Sequence, residues 1–306
     1  MGQICFSLIL VANISRMSLR ILISAINKAN YTVTINREQI PHVCPGEMMK
    51  KTTILLQVRC VFVTDGLQLE ENQKESLLKE RNIFGDIVFS PTQNDAVMYG
   101  HRFLYLIMWA KAKFNFQYLL RLDDDYFVCM DRMVNELHFR PKRSLSWGWY
   151  HCSMAVVWMD EAWSLFSADV IDNFLTQDPR SMLCHPFGDQ TFFLWINATG
   201  VNLTEFHDQR LHHTPRAGKM KKFFSMKSVC DKYIGIHGSY CNLMPLLWKN
   251  SNDAPKNITP VTLLRATCDG PKVFDVRKFR GIYRHEPKPC IEGFNWGTIP
   301  WRSREN

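Results

Sequence analysis

The stretch "FQYLLRLDDDYFV", residues 116 to 128, runs from a mostly apolar segment straight into three consecutive carboxylates, Asp123, Asp124 and Asp125. Its first half reads as a buried strand, because a short apolar run bounded by charged residues fits a sheet interior. Its second half is a problem in electrostatics. Carboxylates crowded on one turn repel one another unless water or a cation reaches them. Two readings follow. One is a solvated acidic turn. The other is a divalent-cation site: a few hard oxygen ligands suit Mg²⁺ or Mn²⁺, which keep waters and take further ligands from substrate phosphates. The alternating aspartates and internal glycine of an EF-hand loop are absent.

Outward from the triplet, "VMYGHRFLYLIMWAKAK" (Val97 to Lys113) places Tyr99, Phe103, Leu106 and Ala110 on one helical face. Before it, "GDIVFSP" (Gly85 to Pro91) reads as a strand, residues 70 to 82 as a charged helix, and "VRCVFVTDG" (Val58 to Gly66) as a strand closed by Asp-Gly. "LRILISAI" (Leu19 to Ile26) is a further strand candidate. Strands alternating with helices predict an α/β fold with a mixed, mostly parallel sheet flanked by helices, in which ligands gather beyond the carboxyl ends of strands. The triplet stands at such an end.

The 306 residues are 46% apolar and 12% aromatic, enough to pack a large core, so global disorder is excluded. A net charge of +8 favours a phosphate-bearing ligand, a polyanion or an acidic membrane surface without choosing among them. The basic cluster Arg216 to Lys227 reads as a solvated loop with snorkelling lysines in preference to a nucleic-acid patch. The ten cysteines contain no C-x-x-C pair, which removes the zinc-ribbon and thioredoxin readings and leaves disulfides in an oxidising compartment. Asn-x-Ser/Thr sequons at Asn13, Asn30, Asn197, Asn202 and Asn257 point the same way. The run "ICFSLILVA" (Ile4 to Ala12) is far shorter than the ~20 residues of a spanning helix and reads as a truncated signal anchor, a signal-peptide core or a strand. The expected divisions are residues 1–18 as an N-terminal segment, 19–250 as the main domain and 251–306 as a C-terminal extension.

The stretch Phe84 to Met133, with "RLDDDYFV" at its end, resembles glycosyltransferase family 31, the inverting β-1,3-galactosyltransferases and β-1,3-N-acetylglucosaminyltransferases. Four later segments continue the resemblance in order: Trp147 to Trp149, Ser164 to Leu175, Phe187 to Val201 and Ile234 to Trp248. The resemblance implies a GT-A nucleotide-sugar-binding fold with Mn²⁺ as cofactor and UDP-galactose or UDP-N-acetylglucosamine as donor. The acceptor would be a hydroxyl of a glycan or glycoprotein. It also implies residence in the Golgi membrane as a single-pass type II protein. By position Asp125 would ligate the metal, Asp123 would face the nucleoside, and Asp124 would support the cluster. His237 would be a further metal ligand or a structural histidine. Asp189 would be the base that takes the acceptor proton, a helix N-cap, or both. Arg102 would contact phosphate or lie on the surface of its helix.

The chain departs from the family pattern at several points. Gly188 stands where the family has a glutamate before the catalytic aspartate, Gln190 where it has a valine, and Asp160, Glu161 and Ala162 where it has a glycine-rich approach to the donor. These departures keep a second reading open: a catalytically inactive relative that binds sugar or acts as a chaperone in the secretory pathway.

Overall fold

A computed structural model describes residues 7–15, 55–65, 71–90, 99–137, 139–153, 156–178, 181–213, 222–223, 225–227, 229–239, 243–251 and 287–290. The strand candidate Leu19 to Ile26, most of the Arg216 to Lys227 cluster and most of the C-terminal extension lie outside these residues.

The alternation read upstream of the triplet is present: β2 (Leu55–Asp65), α1 (Glu71–Phe84), β3 (Ile87–Ser90), α2 (Tyr99–Lys113) and β4 (Tyr118–Asp123). Helix α2 buries Phe103, Leu106 and Ala110, three members of the predicted apolar face. Strands β2 and β3 run parallel through the α1 crossover, as a βαβ unit requires.

The sheet as a whole is not mostly parallel. Its order is β3-β2-β1-β4-β7-β6-β9, with β9 at Thr204–His207, and of its pairings only β2 with β3 and β6 with β9 are parallel. Two insertions account for the difference. Strand β1 (Ser7–Ser15), which holds most of the N-terminal apolar run, lies between β2 and β4 and is antiparallel to both. Strands β6 (Leu145–Ser153) and β7 (Val156–Ser167) are joined too closely for a crossover, so they pair as a hairpin, and β7 then meets β4 antiparallel.

One face of the sheet carries α2, α4 (Ala168–Leu175) and α5 (Gly188–Thr199) over a core of Phe103, Phe166, Phe174, Phe192 and Trp195. The other face packs Leu120, Leu122, Trp147, Trp163 and Phe206 against α3 (Met130–Leu137). Residues two apart on a strand share a face. Thus Leu120 and Leu122 face α3, while Leu119 belongs to the α2–α5 side.

Past the triplet the chain forms β5 (Phe127–Val128), one edge of a small sheet ordered β10-β11-β5, with β10 at Leu211–His212 and β11 at Gly235–Ile236. A disulfide ties Cys129, just after β5, to Cys230 in α6 (Val229–Lys232), close before β11. A second joins Cys184 of β8 (Leu183–Cys184) to Cys290, next to β12 (Lys288–Pro289), and attaches the C-terminal extension to the main domain. The last described helix, α7 (Met244–Ser251), buries Leu247 in the apolar cluster beside β5 and β11.

Candidate metal and catalytic site

The triplet leaves β4 at its carboxyl end, where Tyr126 N–H donates to the Asp123 carbonyl and closes a tight turn. Asp123 and Asp125 are partly buried, and Asp124 is exposed. Strand β11 pairs antiparallel with β5, Ile236 opposite Phe127, and so delivers the next residue, His237, beside Tyr126. Their rings stack at 5.7 Å with planes 16° apart. Gly238 follows with φ of 80°, a left-handed conformation that glycine adopts without strain, and Ser239 N–H then reaches the Asp125 carbonyl at 2.7 Å.

His237 Nε2 lies 3.3 Å from Asp125 Oδ1 and 3.4 Å from Asp123 Oδ2. Its Nδ1 is 3.0 Å from the His213 carbonyl oxygen, a contact that holds the proton on Nδ1 and directs Nε2 at the two carboxylates. This bridging position pushes the His237 imidazole up to about 11, the carboxylates outweighing burial. Asp123 falls to about 2, held there by Arg121 and His237 against burial. All three residues offer a ligand atom within 4.8 Å of one another. Two carboxylate oxygens and an imidazole nitrogen form a donor set that fits Mn²⁺.

Arg121 is the buried charge in an otherwise apolar strand. Its Nη1 is 2.7 Å from Asp123 Oδ1 and also donates to the Glu161 carbonyl on β7. That double pairing offsets the desolvation of a buried guanidinium. Beyond it stand Asp160 and Glu161. Asp160 accepts from Ala162 N–H at 2.8 Å and pairs with His151 Nε2 on β6 at 2.8 Å. Glu161 Oε2 accepts from Gly188 N–H at 2.6 Å, at the start of α5.

Asp189 is the second residue of that helix. Phe187, two residues earlier, is the N-cap, so the N-cap role expected of Asp189 is corrected: it lies inside the first turn. Asp189 Oδ1 accepts from Gln190 N–H at 2.7 Å. Burial, then the neighbouring Glu161 and Asp160, push its carboxyl well above the usual range. The surface position expected of Arg102 is corrected: it is 5% exposed, because α2 is clamped between sheet and α5, and its guanidinium lies 5.2 Å over the Tyr99 ring.

The fold therefore brings Asp123, Asp125 and His237 together, sets Asp189 beyond the Arg121 and Glu161 chain, turns Asp124 outward, and buries Arg102 on α2. Arg121, Asp160, Glu161 and His151 were not singled out as site residues in the sequence. The signal for the first three was a charge inside an apolar strand, in "YLLRLD" and "VVWMDEAWSLF". His151 carries no comparable signal.

A galactosyltransferase family model matches residues 46–163. Over 110 residues the chain is 29% identical to mouse β-1,3-galactosyltransferase 6, covering 33% of this chain and 33% of that protein. The chain thus spans about a third of the length of that curated relative. Both findings support the resemblance to glycosyltransferase family 31, and the stretch matched by the family model contains the aspartate triplet and the Asp160–Glu161 pair. Asp189 and His237 lie beyond it. Among the described residues no helix is long and apolar enough to cross a membrane.

Proposed function

We propose that this galactosyltransferase-like chain is an inverting hexosyltransferase that moves galactose or N-acetylglucosamine from a UDP-sugar to a hydroxyl of a glycan or glycoprotein, forming a β-1,3 linkage. One observation carries the proposal: at the carboxyl end of β4, Asp123, Asp125 and His237 converge with ligand atoms within 4.8 Å. This is where an α/β sheet presents a ligand site.

Asp123, Asp125 and His237 would hold Mn²⁺, which when bound would stabilise the negative charge that develops on a departing diphosphate. Asp189 takes the proton of the acceptor hydroxyl as that oxygen attacks the anomeric carbon. The bond from that carbon to the diphosphate breaks, and UDP leaves with the electron pair. Inversion follows because attack and departure occur on opposite faces. A base works best with a pKa near the working pH, and burial moves Asp189 in that direction. Arg121 keeps Asp123 ionised and aligned with His237. The paired disulfides support residence in an oxidising compartment, and we place the protein in the Golgi lumen.

The raised Asp189 carboxyl also favours a second reading, a sugar-binding relative without turnover, since a protonated carboxyl accepts no proton. Calorimetry with UDP, with and without Mn²⁺, followed by a mass-spectrometric screen of UDP-sugars against glycan acceptors, separates the readings. Metal-dependent UDP binding with transfer supports the enzyme. Binding without donor hydrolysis or transfer supports the inactive relative, and no UDP binding removes the nucleotide-sugar site altogether.

A further inference from the structure

Helix α5 begins in an unusual way. Its N-cap, Phe187, has no side-chain oxygen to offer the first-turn amides, which normally need one. The group that serves Gly188 N–H comes from another element: Glu161 Oε2, reaching across from β7 at 2.6 Å. A negative carboxylate at this end of a helix is favoured by the exposed amides and the helix dipole. Two residues on, Gln190 N–H donates to the carboxylate of Asp189. Two carboxylates therefore share the first turn, one from the sheet and one from the helix.

Residue 188 is glycine for a steric reason in this arrangement. A Cβ there would lie 2.5 Å from Glu161 Oε2, inside any real contact distance, and 3.7 Å from the Tyr99 side chain. A side chain at 188 requires the Glu161 carboxylate to shift off the Gly188 amide that it now accepts from. Glycine at 188 and glutamate at 161 are thus coupled through this one contact. The backbone of Glu161 is itself held by Arg121, which pairs with Asp123. A run of polar contacts therefore leads from the metal-site carboxylate, through Arg121 and Glu161, to the amide of Gly188, the residue before Asp189.

We propose that Glu161 is the positioning residue for Asp189, capping α5 from β7 and setting the carboxylate environment of the proposed base; this role rests on the transferase reading. The charged groups that act on Asp189 are Glu161 and Asp160 from β7, and Arg121 from β4 acts on both of these in turn. Burial and the neighbouring Asp123 and Asp160 raise Glu161 to about 7, so the proton content of this pair changes near neutral pH.

The test is a cycle on the full chain with E161A, G188A and their combination, plus E161Q, each followed by thermal unfolding and by turnover against pH. We expect G188A to lower the unfolding midpoint by several degrees in the wild-type background, and to leave it unchanged or raise it once E161A has removed the clash, since alanine is the better helix former. We expect E161A to cut kcat about tenfold or more with donor KM changed less than about twofold. E161Q, which keeps an oxygen for Gly188 N–H, should regain the midpoint yet move the acid limb of kcat to lower pH, because Asp189 loses a like charge. Equal effects of G188A in both backgrounds would overturn the contact, and an E161Q profile superimposed on wild type would overturn the positioning role. The unfolding arm needs no turnover. A sign reversal in it alongside a wild type that transfers no sugar would leave the helix cap standing and sink the transferase reading.

Discussion

His237 Nε2 stands 3.3 Å from Asp125 Oδ1, although the two residues lie far apart in sequence and are brought together by the pairing of β11 with β5. The same imidazole is 3.4 Å from Asp123, and its other nitrogen is tied to the His213 carbonyl. A histidine locked between two carboxylates in this way is either an imidazolium bridge or, once a cation displaces its proton, a third ligand.

Removal of either partner should therefore abolish metal dependence rather than fold. D125A and H237A are expected to weaken Mn²⁺-dependent UDP binding by more than about 100-fold, beyond the loss usual for outer-shell changes. Calorimetry with and without Mn²⁺ measures it; unchanged binding in both variants would remove the triad from the site.

The proposed base makes a separable prediction. D189N should retain Mn²⁺-dependent UDP binding while turnover falls by about 10²- to 10⁴-fold. Single-turnover measurements distinguish this from slow product release, and a variant with normal turnover would reassign the base, with His151 beside Asp160 the next residue to test.

Proton competition sets the pH dependence. His237 titrates at about 11 in the metal-free protein, so its proton must leave before Nε2 can bind a cation. Mn²⁺ affinity should rise by about tenfold per pH unit between pH 7 and 9. Metal-free stability runs the other way. Above the unfolded value of 6.5 the native state holds a proton that the unfolded state has lost, so the His237 contribution falls as pH rises through its native value. Glu161 adds a loss of the same sign up to its native value of about 7. The slope from His237 alone is about 1.4 kcal/mol per pH unit. Thermal unfolding in EDTA across pH 7 to 9 should show it, and H237A should flatten it.

The Cys129–Cys230 bridge ties the end of β5 to the helix that precedes β11, and so fixes the strand pair on which His237 depends. The double variant C129S/C230S should lose about 2 to 5 kcal/mol of stability. Its Mn²⁺-dependent UDP binding should fall more than in a variant lacking the Cys184–Cys290 bridge, which holds β8 and the C-terminal extension instead. Equal binding losses in the two would argue against a specific role in placing His237.

Part of this architecture was legible because it is local. The β2-α1-β3-α2-β4 succession follows from apolar periodicity and turn residues, and its strands share one direction in the sheet. The N-terminal run was ambiguous among anchor, signal core and strand, since nine apolar residues carry no information about neighbours. Its place between β2 and β4 depends on edges that only the assembled sheet provides. The predicted mostly parallel sheet failed for the same reason, together with the β6–β7 hairpin.

The site divides along the same line. The sequence by itself determined that a buried strand ends in a carboxylate cluster within an α/β chain, because hydrophobic pattern and charge are properties of consecutive residues. The tertiary structure decided which carboxylates act together. It joins Asp123 and Asp125 to His237 and leaves Asp124 outside, and it buries Arg102. It also brings Glu161 across the sheet to fill the space over Gly188. Sequence spacing is silent on such pairs, since a contact between distant segments is set by strand register and helix packing, and a one-residue slip of a strand such as β7 would turn its side chains to the opposite face.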